Sequence, residues 1–162
     1  MSKHSPLHAV PSQTGPVGEP QAVVESFLDA LARADTHAAG ALLADAVIYT
    51  NVGLPTIRGR RRVIQVLAPM AARMQFEAHL HAIAADGTVV LTERTDVLQM
   101  GRLRIQFWVA GRFDVHDGQI TLWRDSFDYL DCTRAMLRGL LGAVVPSLRP
   151  TAPALNAPPG RH

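Results

Sequence analysis

Apolar residues recur along the chain with two different periods, and the change from one to the other outlines the fold. Val23, Val24, Phe27, Leu28 and Leu31 fall three or four apart, the spacing of one helical face. Pro20 suits the first turn of that helix, where a missing N–H leaves no bond unmade. A short second helix is expected over 36–43 with Thr36 as its cap. A strand is expected over 46–52, ended by Gly53 and Pro55. Residues 60–74 return to the helical period, with Val63, Ile64, Leu67, Met70 and Met74 on one face and Pro69 as an expected kink. After residue 75 the period becomes two. Strands are expected over 76–84, 88–99, 102–115 and 119–129, separated by Asp86-Gly87, Gly101 and Asp117-Gly118, which suit tight turns. A last amphipathic helix is expected over 132–144, weakened by Gly139 and Gly142.

Helices followed by a run of antiparallel strands are the α+β pattern. A curved sheet with helices packed on its concave face makes a cone with one deep mouth, a shape that suits small apolar ligands. Leu137, Leu140, Leu141 and Val144 of the last helix are expected to form a wall or lid near that mouth. Of the 11 prolines, nine lie outside residues 21–145. Proline removes backbone donors and fixes φ, so 1–18 and 146–162 read as extended tails around a folded unit at 19–145.

Composition narrows the function. At 48% hydrophobic residues the 162-residue chain has enough apolar surface for one core, and no run approaches the roughly 20 apolar residues of a spanning helix. The net charge of +2 comes from the ends, because residues 21–145 carry 13 Arg against 13 Asp and Glu. No nucleic-acid partner is therefore expected. Arg58, Arg60, Arg61 and Arg62 cluster without interleaved aromatics and read as a solvated helix face. Cys132 is the only cysteine, which excludes an intramolecular disulfide and a thiolate metal cluster. With no apolar leader at the N-terminus, a cytoplasmic location is expected. His79 and His81 alternate on a strand, but nothing nearby completes a metal site, so both read as structural. His116 beside Asp117-Gly118 reads as an exposed turn residue.

The candidate chemistry lies in two strands. Alternation puts Arg94, Asp96 and Leu98 on one face of the second, and Trp123, Asp125 and Phe127 on one face of the fourth. The apolar members belong inside, so two carboxylates and a guanidinium go with them. Such groups are costly to bury unless they pair, and the fork of Arg94 can satisfy both aspartates. Close carboxylates cannot ionise equally, so one stays protonated and the other charged. Tyr49 and Asn51 share a strand face and can hold a water. Two readings stay open at this point: a structural ion-pair network, or an acid and a base that face one small space.

Tyr49-Thr50-Asn51, Thr92-Glu93-Arg94-Thr95-Asp96-Val97-Leu98 and Gly118-Gln119-Ile120-Thr121-Leu122-Trp123-Arg124-Asp125-Ser126-Phe127-Asp128 together resemble the limonene-1,2-epoxide hydrolase family, over about residues 20–130. The resemblance implies a fold like nuclear transport factor 2 and the SnoaL-like proteins, usually as a homodimer. It implies hydrolysis of an epoxide in one concerted step with no covalent enzyme intermediate and no cofactor or metal. Asp125 would match the general base, Asp96 the acid at the epoxide oxygen, and Arg94 the arginine between them. Tyr49 and Asn51 would match the residues that hold the water. Leu28, Leu31, Met70, Met74, Phe76, Leu98, Phe107, Val109 and Phe127 fall at or near substrate-pocket positions, with His79 where an aliphatic residue is more usual. The implied substrate is a lipophilic epoxide of terpene, sterol or fatty-acid type, and the implied role is detoxification of such epoxides.

Trp108 falls with Arg102, Arg104 and Gln106 on the strand face opposite Phe107, which suggests a sheet-to-sheet contact between subunits. No Gly-x-Ser-x-Gly elbow occurs, which argues against the α/β-hydrolase type of epoxide hydrolase. Two other functions compete. An isomerase or cyclase for polycyclic ketones would need an oxyanion hole in place of water holders, and a non-catalytic carrier of apolar ligands would have no use for buried aspartates.

Overall fold

The computed structural model describes residues 19–145 and 147, and the chain alternates between them as helix α1 (Glu19–Ala32), helix α2 (Thr36–Ala41), strands β1 (Leu43–Asn51) and β2 (Ile57–Arg58), helix α3 (Arg60–Arg73), strands β3 (Gln75–Asp86), β4 (Val89–Met100), β5 (Leu103–His116) and β6 (Gln119–Ser126), and helix α4 (Tyr129–Val144). The six strands form one sheet in the order β2-β1-β6-β5-β4-β3. Every neighbouring pair is antiparallel except β1 with β6, which run parallel. The long hairpins turn where glycine permits a left-handed backbone. In the last, Asp117 (φ 50°) and Gly118 (φ 72°) both carry positive φ, as the reverse twist of a two-residue loop requires.

The sequence places most boundaries within a few residues, with particular differences. Asp35, not Thr36, caps α2, its carboxylate accepting the Ala38 N–H at 2.9 Å. The helix stops at Ala41 because Leu43 already belongs to β1. α3 continues through Pro69 to Arg73. β6 ends at Ser126, and α4 starts at Tyr129, three residues before the expected start, with Asp128 accepting the Leu130 N–H. The two-residue strand β2 is too short to show a period.

α1 packs on the concave face, burying Val24, Phe27 and Leu28 against Val90, Phe113, Ile120 and Trp123. Phe27 meets Phe113 and Trp123 edge-on, with ring centres 6.3 and 5.0 Å apart. Along β4 the same face changes character, from Val90 in this core to Arg94, Asp96 and Leu98 in a cavity.

The expected wall or lid is a correction. β6 pairs with β5 only from Ala110 onward, and α4 flanks the stretch of β5 that β6 does not reach. A Cβ at Gly139 would lie 2.5 Å from the Arg104 carbonyl oxygen, so the helix approaches that backbone closely. Among the described side chains of the helix, Ala135, Gly139 and Gly142 are the buried positions, one helical face of small residues. That face turns Leu137, Leu140, Leu141 and Val144 outward, where all four are exposed and none lines the cavity.

Candidate active site

Period-two alternation on adjacent strands brings the polar groups together. Thr92, Arg94 and Asp96 of β4, Gly111 of β5 and Asp125 of β6 lie on the concave face, and the register pairs Thr92 with Gly111 and Gly111 with Asp125. In the parallel pair, Tyr49 stands opposite Trp123 and Asn51 opposite Asp125. Arg94 is 1% exposed, Asp96 6% and Asp125 5%. The guanidinium satisfies both acids: Nε donates to Asp96 Oδ1 at 2.8 Å, and Nη2 donates to Asp96 Oδ2 at 3.2 Å and to Asp125 Oδ2 at 2.7 Å. Nη1 donates to Thr92 Oγ1 at 3.2 Å.

Burial and charge act in opposite directions here. Burial raises the Asp96 carboxyl to about 6 against the opposing pull of Arg94. Burial raises Asp125 as well, with the Arg94 charge opposing it. The aspartates hold the Arg94 charge in place although burial disfavours it. Tyr49 is pushed up to about 12, first by burial and then by the Asp125 charge, so its hydroxyl keeps its proton. Asn51 Nδ2 donates to that hydroxyl at 2.7 Å, which leaves the phenolic proton available to a third group. Tyr49 also stacks on Trp123, with ring centres 4.0 Å apart.

Two buried polar atoms at this place lack a hydrogen-bond partner, Asp125 Oδ1 and Trp123 Nε1. An unmatched buried acceptor costs about 1–3 kcal/mol. A carboxylate oxygen that keeps an unused acceptor suits a group that must take a proton.

These side chains line the polar end of an otherwise apolar cavity of about 260 Å³. Leu28, Leu31, Met70, Met74, Phe76, Leu98, Phe107, Val109 and Phe127 all line it, as do Tyr49, Asn51, Arg94, Asp96 and Asp125. Leu67, Ala71, Ala34, Thr36 and Trp123 join them. Of these, Leu67 lies on the same helical face as Met70 and Met74 and was readable from that spacing. His79 is a correction. It lies on the outer face, paired with Glu77 at 2.9 Å, because alternation from Phe76 through Ala78 turns it away from the cavity. His81 bonds Thr95 at 2.8 Å on the same outer face, and no cluster suited to a metal ion occurs among the described residues. Arg60 pairs with Asp45 and reaches the Leu43 carbonyl, while Arg58, Arg61 and Arg62 are exposed.

Residues 18–138 match the family model of the limonene-1,2-epoxide hydrolase catalytic domain. The chain belongs to the limonene-1,2-epoxide hydrolase family. It is 53% identical over 128 residues to the epoxide hydrolase EphG of Mycobacterium tuberculosis, an alignment covering 79% of this chain and 86% of that protein. The solved structure of an M. tuberculosis LEH-like epoxide hydrolase superposes with a TM-score of 0.82 at 50% identity, covering 86% of this chain and all of that one. An NTF2-like protein of Burkholderia xenovorans LB400 shares the fold alone, with a TM-score of 0.62 at 19% identity over 74% of this chain and 97% of that one. The chain is thus an epoxide hydrolase of the limonene-1,2-epoxide hydrolase type on a fold like nuclear transport factor 2. No helix among the described residues is long and apolar enough to cross a membrane.

Proposed function

We propose that the protein opens a lipophilic epoxide to the vicinal diol by direct attack of water, with Asp125 as base and Asp96 as acid. The observation that carries this reading is the bridge through Arg94, which ties two buried aspartates together in the wall of an apolar cavity. Water is oriented by Tyr49 and Asn51 and gives a proton to Asp125 as its oxygen bonds to a ring carbon. The C–O bond of the ring breaks, and Asp96 protonates the leaving oxygen before full alkoxide charge develops. The site resets when Asp125 releases its proton and Asp96 regains one, so the balance closes with side chains and water alone. Acid and base assistance of this kind contributes about 10²–10⁴-fold each. Arg94 keeps the carboxylates in opposite protonation states at fixed separation.

The cavity of about 260 Å³ lies just below the roughly 300–1,000 Å³ typical of drug-sized ligands, so it encloses a compact cyclic epoxide of terpene size. A sterol or long-chain epoxide would extend past Met70, which is 41% exposed at the rim. The test is turnover of a panel of cyclic-terpene, sterol and fatty-acid epoxides. Wild-type protein should form diol, with the compact ring the best substrate, and Asp125→Asn should lose at least about 100-fold in kcat while remaining folded. An Asp125→Asn protein that keeps most of its activity contradicts the assignment of the base.

The folded unit at 19–145 is proposed to pair as a homodimer through the outer sheet face, where Trp108 is exposed and donates from Nε1 to Glu93 at 3.2 Å. Sedimentation of a monomer alone at micromolar concentration contradicts this.

A further inference from the structure

Arg94 stands on β4 and Asp125 on β6, with β5 between them. Neighbouring strands are about 4.8 Å apart, so the guanidinium must cross the whole width of β5 to reach its second aspartate. Side chains on the concave face of β5 would ordinarily bar that route, as Phe107, Val109 and Phe113 do on either side. At the crossing stands Gly111. A Cβ there would meet Arg94 Nη1 at 2.5 Å, Thr92 Oγ1 at 2.4 Å and Asp125 Oδ1 at 3.1 Å, the first two closer than real Cβ contacts come. The glycine has no positive φ, so backbone freedom does not account for it. Its missing side chain is what the site uses. Thr92, on the same strand as Arg94, opposite Gly111 in the register and 5% exposed, supplies the acceptor for Nη1.

We propose that Gly111 and Thr92 are positioning residues of the reaction: the gap at Gly111 lets Arg94 span β5, and the Thr92 hydroxyl locks the guanidinium in the orientation that serves both aspartates at once. The assignment rests on the hydrolytic reading for its effect on rate, but not for its geometry. Without the Thr92 acceptor, Nη1 is buried with its bond unmade, and the guanidinium turns toward another partner. Its grip on Asp96 and Asp125 then weakens. Displacements near 1 Å in such a site can cost about 100-fold in rate. The groups that respond are Asp96, Asp125 and Tyr49, each of which carries an electrostatic contribution from Arg94.

The experiment compares full-length wild type, Thr92→Val, Thr92→Ser and Gly111→Ala by steady-state kinetics on a cyclic terpene epoxide and by carboxyl ¹³C titration of aspartate-labelled protein. Thr92→Val, close in shape but lacking the acceptor, should lose about ten- to a hundredfold in kcat with KM within about twofold. Its Asp96 and Asp125 carboxyls should titrate at higher pH than in wild type, because Arg94 opposes their protonation less. Thr92→Ser restores the acceptor and should recover both readouts. Gly111→Ala should show the Thr92→Val pattern in stronger form or fail to fold, and either outcome agrees with a barred passage. A folded Thr92→Val with wild-type kcat and unmoved titrations overturns the proposal, as does a Gly111→Ala protein with wild-type rate. If no epoxide in the panel is hydrolysed by wild type, the hydrolytic reading falls, and the titrations still decide whether Thr92 holds Arg94.

Discussion

Replacing Asp96 with asparagine should disable the reaction and abolish the loss of stability that wild type suffers between about pH 4 and pH 6. The sign follows from the direction in which burial moves this group. Its carboxyl rises from an ordinary 3.8 to about 6 in the folded protein. Between those values the folded state holds a proton that the unfolded chain has released, so stability falls as pH rises through the interval and levels off above about 6. At 1.36 kcal/mol for each tenfold change in proton affinity, the span from 3.8 to about 6 corresponds to roughly 3 kcal/mol. The side chain is only 8% exposed, so solvent screening removes little of this. Asparagine has no proton to lose. The variant's stability relative to wild type should therefore climb by about 2 kcal/mol from pH 4 to pH 8, the part of that span lying above pH 4, whatever its offset at pH 4. Urea unfolding of both proteins at half-unit pH intervals measures the difference, and comparison across pH cancels the fixed contribution of swapping acid for amide. The same samples should show a loss of at least about 100-fold in kcat, because an amide cannot protonate the leaving oxygen. A stability difference that is flat with pH, or that shrinks as pH rises, would refute the reasoning: Asp96 would then be an ordinary or Arg94-stabilised carboxylate.

Other outcomes follow from the same geometry. The descending limb of kcat/KM against pH should be centred near 6 in the free enzyme, where Asp96 loses the proton it must donate, and rate should fall again at lower pH as Asp125 protonates. Tyr49→Phe and Asn51→Ala should each lower kcat by about tenfold or more while thermal midpoints change little, since they orient the water through the 2.7 Å bond between them. Leu98→Trp, filling the cavity beside Asp96, should raise KM for a compact cyclic epoxide by at least about tenfold; unchanged KM would show that the substrate sits elsewhere. Asp35→Ala should cost about 1 kcal/mol in urea unfolding, because it removes the cap of α2.

Much of this arrangement is legible in the residues, for reasons that differ from site to site. The inward direction of Arg94, Asp96 and Asp125 follows from period-two alternation with apolar companions, and the strands are long enough for that period to be unambiguous. The cavity lining follows from the same rule on β3, β4 and β5 and from helical spacing on α1 and α3. Alternation also turns His79 outward, and its assignment near the pocket set a positional likeness above that rule. The positioning roles of Gly111 and Thr92 are not legible in the residues, because a glycine inside a strand leaves no chemical signature and a threonine there reads as ordinary β propensity. Their importance depends on which strands become neighbours. The place of α4 was hidden for a related reason. Its leucines repeat with helical spacing, yet Ala135, Gly139 and Gly142 make the closer packing surface against β5, and periodicity alone does not rank a small face against a large one.

The central claim is that water, activated by Asp125, attacks the epoxide directly. A single turnover in ¹⁸O-water, with enzyme in excess over a cyclic epoxide, tests it by following the labelled oxygen. The account predicts one ¹⁸O in the diol from the first turnover and none in the protein. Unlabelled diol in that turnover, with ¹⁸O found in the carboxyl of Asp125 or Asp96, would show a covalent ester intermediate and contradict it.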